Sequence, residues 1–169
     1  MTLSGFTSGV RMTNGFKDTQ SIYKALFIYN FATLVDWPTD YRKGNFVIGV
    51  YGENDAVYKQ LTTKYSGKDI GSKEIKIVKH PSKNENRDKT HILYITEGKS
   101  ENINSLSNTF SGKSTLLITE KPGYLGKGAV INFVVDQNKQ SYEISKPNAR
   151  KHKLIIASKL ANLAVKVIE

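Results

Sequence analysis

The residues of this chain that could do chemistry are three glycine-bearing stretches, three histidines and a scatter of acids. Residues 111–115, SGKST, end like a phosphate-binding loop, in which backbone N–H groups and a lysine hold a nucleotide's phosphates. That motif needs a glycine five residues before Gly112, and position 107 is serine; the stretch also precedes a strand instead of following one. No nucleotide site is read from it. Residues 49–55, GVYGEND, lie between a strand and a helix, where N–H groups can face an anion, but Glu53 and Asp55 repel phosphate and a plain turn accounts for them. Residues 123–128, GYLGKG, read as a flexible loop or as a binding loop, since functional residues favour such loops. His80, His91 and His152 form no H-x-H or H-x-x-x-H pair, so no metal site is expected. His91 opens a strand, where a hydrogen-bonded structural role is the commoner one. Cysteine is absent, which excludes disulfides, thiol catalysis and Cys-ligated metal. There is no G-x-S-x-G elbow. Asp36, Glu53, Asp55, Glu120 and Asp136 fall at element ends, as caps and solvated charges do, and Glu143 fits an outward-facing strand position. No catalytic residue, metal or cofactor is expected.

The element around which the chain is organised is residues 21–38, SIYKALFIYNFATLVDWP. Ile22, Leu26, Tyr29 and Thr33 form one helical stripe, and Phe27, Phe31 and Leu34 a second one turned part of the way round. A helix apolar on two faces is either sandwiched in the core or shared with something outside the chain. Pro38 stops it, with the only tryptophan, Trp37, at its edge. Residues 46–51, FVIGVY, read as a strand covered on both faces. Residues 55–65 carry Val57, Leu61 and Tyr65 at helical spacing. Residues 74–79 read as a strand near a sheet edge, 81–89 as a polar connector, and 91–96 and 114–119 as buried strands. Between those last two lies a short helix capped by Ser100. Residues 129–135 and 140–144 have hairpin spacing, Pro147 opens a helix, and an apolar pattern continues to the C-terminus as one helix or two, with a break near Lys153. The pattern predicts one α/β domain over residues 21–169 behind a flexible segment, 1–20. Its sheet is mostly parallel with helices on both faces, and a C-terminal hairpin plus helix follows.

At 169 residues the chain suits a single domain, and no run reaches the roughly 20 apolar residues that span a bilayer. The net charge of +10 invites a nucleic-acid reading, but it is spread over lysines, with only four arginines, Arg11, Arg42, Arg87 and Arg150, and no recognition motif. No nucleic-acid partner is expected. The first twenty residues lack a basic n-region and an apolar h-region, so the protein is cytosolic or a signal peptide has already been removed.

The motifs KALFIYNFATLVDWP at 24–38, FVIGVYG at 46–52, GKGAVINFVV at 126–135 and YEISKPNARKHKLIIASKLANLA at 142–164 together resemble the YfiR-type family of small periplasmic regulators. Phe27, Tyr29, Asn30, Phe31, Trp37 and Pro38 match its first motif; Gly128, Ile131, Asn132 and Phe133 match the second; Glu143, Ala149, Leu154, Ile156, Ser158, Leu160 and Ala164 match the third. Three positions depart from it: Ser145 where asparagine is usual, Lys153 where glycine is usual, and Ala157 in place of the first of two serines. The resemblance implies a Rossmann-like α/β domain in the periplasm, often dimeric, without enzymatic activity or cofactor. Such a domain would hold a membrane-anchored diguanylate cyclase inactive by binding its periplasmic part; a sensor kinase is the alternative target. Phe27, Phe31 and Trp37 would supply an aromatic contact patch for that partner or for a dimer, with Trp37 the most accessible, unless Phe27 and Phe31 are core residues. From a different class, the loop ends near Gly52 and Gly123 could form a small-ligand pocket.

Overall fold

The computed structural model describes residues 9–53, 55–80 and 89–169. The hub of the fold is β2 (Phe46–Tyr51), an unbroken apolar run that pairs in parallel with β4 (Lys73–His80) on one side and β5 (Ile92–Ile95) on the other. Beyond β5 the sheet continues in parallel through β6 (Leu116–Thr119) and β7 (Ile131–Asp136). β8 (Lys139–Ser145) returns antiparallel to β7, and β10 (Lys166–Ile168) lies parallel to β8 along one edge. β3 (Asp69–Ile70) is antiparallel to β4 at the opposite edge. The result is an eight-stranded, mostly parallel sheet in the order β10-β8-β7-β6-β5-β2-β4-β3.

Alternate residues of the central strands enter two separate apolar clusters, which explains their unbroken hydrophobicity. Ile92 and Tyr94 of β5 join Ala25, Ile28 and Phe31 of α1 (Gly9–Leu34) and Val57 and Leu61 of α2 (Asp55–Tyr65). Leu93 and Ile95 join Ile103 and Leu106 of α3 (Ile103–Thr109). α2 and β2 have the bounds that their periodicity predicts.

Several expectations are corrected. Helix α1 begins at Gly9, so residues 9–20, expected as a flexible segment, continue the helix. It also ends three residues short of Trp37. Val35–Asp36 leave it as β1, a two-residue strand antiparallel to β9 (Ile155–Ile156), because Pro38 bars Trp37 from helical geometry. Ser100 does not cap α3; it lies inside a preceding 3-10 segment, Glu97–Asn102, and its hydroxyl donates to Thr96 O. The C-terminal helical pattern is broken into α4 (Lys146–Lys151), β9, α5 (Ser158–Asn162) and β10. The hairpin turn is tighter than expected: Asp136 faces Lys139 across two left-handed residues, Gln137 and Asn138. Most of the polar connector, residues 81–88, lies outside the described residues.

Candidate partner interface

Helix α1 separates its apolar residues onto two opposite sides. The side facing the sheet carries Ala25, Ile28 and Phe31, each fully buried, with Ala32 beside them. The opposite side carries Phe16, Ile22, Tyr23 and Leu26, exposed by 38 to 49%. At 100° per residue these four side chains fall within an arc of about 120°, so they form a stripe and not a scatter. Isolated exposed apolar residues are ordinary, whereas a contiguous set makes this face a candidate contact surface. The expected stripe of Ile22, Leu26, Tyr29 and Thr33 is therefore the outer one. Only its Tyr29 is partly covered, stacked 4.6 Å from Tyr65 of α2.

The three aromatics expected to form the contact patch lie elsewhere. Phe31 is fully buried, and Phe27 is half-buried beside it. Both rings stand edge-on to Tyr142, at 5.0 and 5.3 Å, and both lie close to Phe133. Trp37, expected to be the most accessible, is 5% exposed. Its ring stands perpendicular to Phe46 at 5.0 Å and 6.0 Å from His91, at the N-terminal ends of the interior strands β2 and β5. Among the described residues its Nε1–H finds no acceptor. Aromatic identity alone did not distinguish core from surface. The missed signal was Phe16, seven residues ahead of Tyr23 and thus on the same helix face, in a stretch whose glycines and polar residues read as loose.

The ligand-pocket expectation is also corrected at one of its two loops. A Cβ on Gly52 would lie 2.2 Å from Thr96 Oγ1 and 2.7 Å from Lys99 Cγ, so the protein itself fills that end of β2. No group of three or more His, Asp or Glu side chains is placed to hold a metal among the described residues. No helix among them is long and apolar enough to cross a membrane.

A family model described as YfiR/HmsC-like matches residues 21–165, from the middle of α1 to the residue before β10. The chain belongs to the YfiR/HmsC-like family. No curated protein matches it. Seen on the fold, the YfiR-type motif residues are chiefly the ones that close the domain. Asn132, fully buried in β7, accepts from Thr119 Oγ1 at 2.8 Å and from Lys121 N–H at 3.1 Å, and its amide reaches Glu143 on β8. Ile131 is fully buried beside it, and Phe133 packs on α1. Gly128 ends a 3-10 turn, Tyr124–Lys127, with φ +115, and a Cβ there would sit 2.6 Å from Ser107 of α3. Pro38 leads into the turn Thr39–Arg42, and its carbonyl accepts from Tyr41 N–H. Asn30 is partly buried, and its carbonyl accepts from Thr33 Oγ1. Ser158 is exposed at the first position of α5.

Two departures from the YfiR-type motif also acquire a physical meaning. Ser145 is the N-cap of α4, and its hydroxyl accepts from Asn148 N–H, a task that the usual asparagine performs equally well. Lys153 follows α4 with φ +56, a left-handed conformation that the usual glycine adopts without cost.

Proposed function

We propose that this chain is a non-enzymatic periplasmic regulator that represses or tunes a membrane-anchored signalling enzyme, a diguanylate cyclase or a sensor kinase, through protein contact and without a cofactor. The observation that carries the reading is the solvent-facing apolar stripe of α1, opposite the helix's core face, in a member of the YfiR/HmsC-like family. The contact face is accordingly Phe16, Ile22, Tyr23 and Leu26, in place of the buried Phe31 and Trp37. Tyrosine and phenylalanine anchors suit such a face because they bury much area for little lost rotamer freedom. Strand order supports a Rossmann-like reading of the domain, since the order reverses where β4 and β5 flank β2. A homodimer, implied by the family, would compete for the same stripe.

The test is capture from a membrane extract of the native organism, using the intact domain and a folded Tyr23→Ala/Leu26→Ala variant as baits. Recovery of a single-pass receptor with a cytoplasmic cyclase or kinase domain by the first bait alone is the expected result. Equal recovery by both removes the stripe as the interface, and recovery of no membrane protein by either overturns the regulatory reading. Light scattering of both baits in solution measures self-association through the same face.

A further inference from the structure

Between α1 and the ends of β6 and β7 the surface opens into a cleft of about 370 Å³. That volume is within the roughly 300–1,000 Å³ of small-molecule sites, and open α/β sheets hold ligands outside the carboxyl ends of their strands. The position follows from the topology: Glu97 comes just after β5 and Glu120 just after β6, both at carboxyl ends of parallel strands. Lys24 of α1 faces them, and β7 and β8 contribute Phe133, Val135 and Gln140.

The polar groups of this cleft are arranged in favour of acceptors. Glu120 is fixed, since Lys24 Nζ pairs with Oε2 and Glu97 N–H donates to Oε1 at 2.8 Å, and its side chain is only 8% exposed. A carboxylate has about four lone-pair positions, so Glu120 retains acceptor capacity after both contacts. Gln140 spends both donors within the hairpin, on Val134 O at 3.0 Å and Ser141 O at 3.1 Å. Its Oε1 is buried without a partner and is not presented to the cleft, so the cleft's open acceptors are the carboxylates. Glu97 adds an exposed carboxylate at the rim. Lys24 is the cleft's cation, and Glu120 already neutralises it, so Glu97 leaves the lining with net negative charge. Phe133 and Val135 provide an apolar wall.

We infer that this cleft binds a small organic amine in its protonated form, the ammonium seated against Glu120 and Glu97 and the hydrocarbon body against Phe133 and Val135. An anion of the same shape meets two carboxylates and a lysine already committed to one of them. The site rests on the cleft alone and stands or falls separately from the regulatory reading. It would tie α1 to the sheet beside the exposed stripe, where a bound amine can influence what the stripe contacts.

The probe is 2-phenylethylamine, with 3-phenylpropionate as its anionic counterpart, each titrated into the intact labelled protein and followed by amide chemical shifts. The amine should give saturable shifts centred on Lys24, Glu97, Glu120 and Gln140, and the acid none. Glu97→Gln, an exposed change that leaves the fold intact, should weaken amine binding about threefold, the effect of one partly screened charge. Lys24→Met should tighten it by removing the competing cation, a gain that a merely structural role for Lys24 does not produce. Acid binding equal to that of the amine, shifts centred elsewhere, or no saturation by roughly 10 mM amine overturns the inference.

Discussion

The backbone N–H of Val47 donates to Nδ1 of His91 at 3.1 Å, which fixes the histidine's hydrogen on Nε2, 2.8 Å from the carbonyl of Tyr41. His91 is thus a neutral clasp between β2 and the turn after Trp37. Protonation of Nδ1 would turn one donor against another, with the Lys73 ammonium adding repulsion.

Burial holds His91 and His152 below the ordinary histidine value and Lys73 and Lys151 reinforce it, while backbone hydrogen bonds with Tyr41 and Lys89 for His91 and with Phe110 for His152 oppose it. The native state therefore binds fewer protons than the unfolded chain below pH 6.5. Stability is complete above about pH 6.5 and falls as the pH drops toward the native values, by at most about 1.4 kcal/mol per pH unit for each histidine. Urea midpoints measured from pH 7.5 to pH 5 should show this slope, and His91→Gln should reduce it to the contribution of His152. Trp37, 6.0 Å from His91, reports the local event by fluorescence.

Phe31→Ala should cost about 3–5 kcal/mol, as expected for a fully buried aromatic, whereas Tyr23→Ala and Leu26→Ala should change stability by only about 0.5 kcal/mol. Chemical denaturation of the three variants separates the two faces of α1. A large loss in Tyr23→Ala would mean that the outer stripe is covered within the chain itself.

Gly128→Ala should destabilise by about 2 kcal/mol or more, since φ +115 and the 2.6 Å approach to Ser107 penalise any side chain. Thermal unfolding of the variant checks the size of the loss.

Lys153→Gly should have the opposite sign, adding about 1 kcal/mol by relieving a left-handed non-glycine residue. A raised urea midpoint with an unchanged m-value is the expected signature.

Tyr142 is buried with its hydroxyl donating to Leu160 O at 2.9 Å, and burial pushes its pKa up to about 12. Tyr142→Phe should cost about 1 kcal/mol for the lost hydrogen bond. In the native protein the ultraviolet titration should show one phenol resisting ionisation until near that pH.

Much of the fold is legible where a segment decides its own structure. Val57, Leu61 and Tyr65 mark α2, and the apolar run of β2 marks the central strand, because in both the burial pattern is local. Elements decided by distant partners are not legible. β1 and β9 are two residues each and exist only because Val35 meets Ile156, and β10 exists only because β8 offers it an edge. The start of α1 is hidden by Gly9 and Gly15, poor helix formers that tertiary packing of the later turns overrides. The candidate site was legible as a helix with two apolar sides, but the choice between those sides depends on Phe133 and Tyr142, about a hundred residues away. The acceptor-rich cleft left no sequence signal, since Lys24, Glu97 and Glu120 meet only across the sheet's carboxyl edge.

The packing of Phe27 and Phe31 on Phe133 and Tyr142 has a consequence for synthesis. At roughly 5–20 residues per second, Phe27 and Phe31 emerge several seconds before the two strands that carry Phe133 and Tyr142. During that interval β2, α2 and β5, which pack on Ala25 and Ile28, are already made, but the aromatic partners of Phe27 and Phe31 are not. The outer stripe remains bare after folding, whereas the cover over Phe27 and Phe31 is completed only when the last third of the polypeptide brings Phe133 and Tyr142.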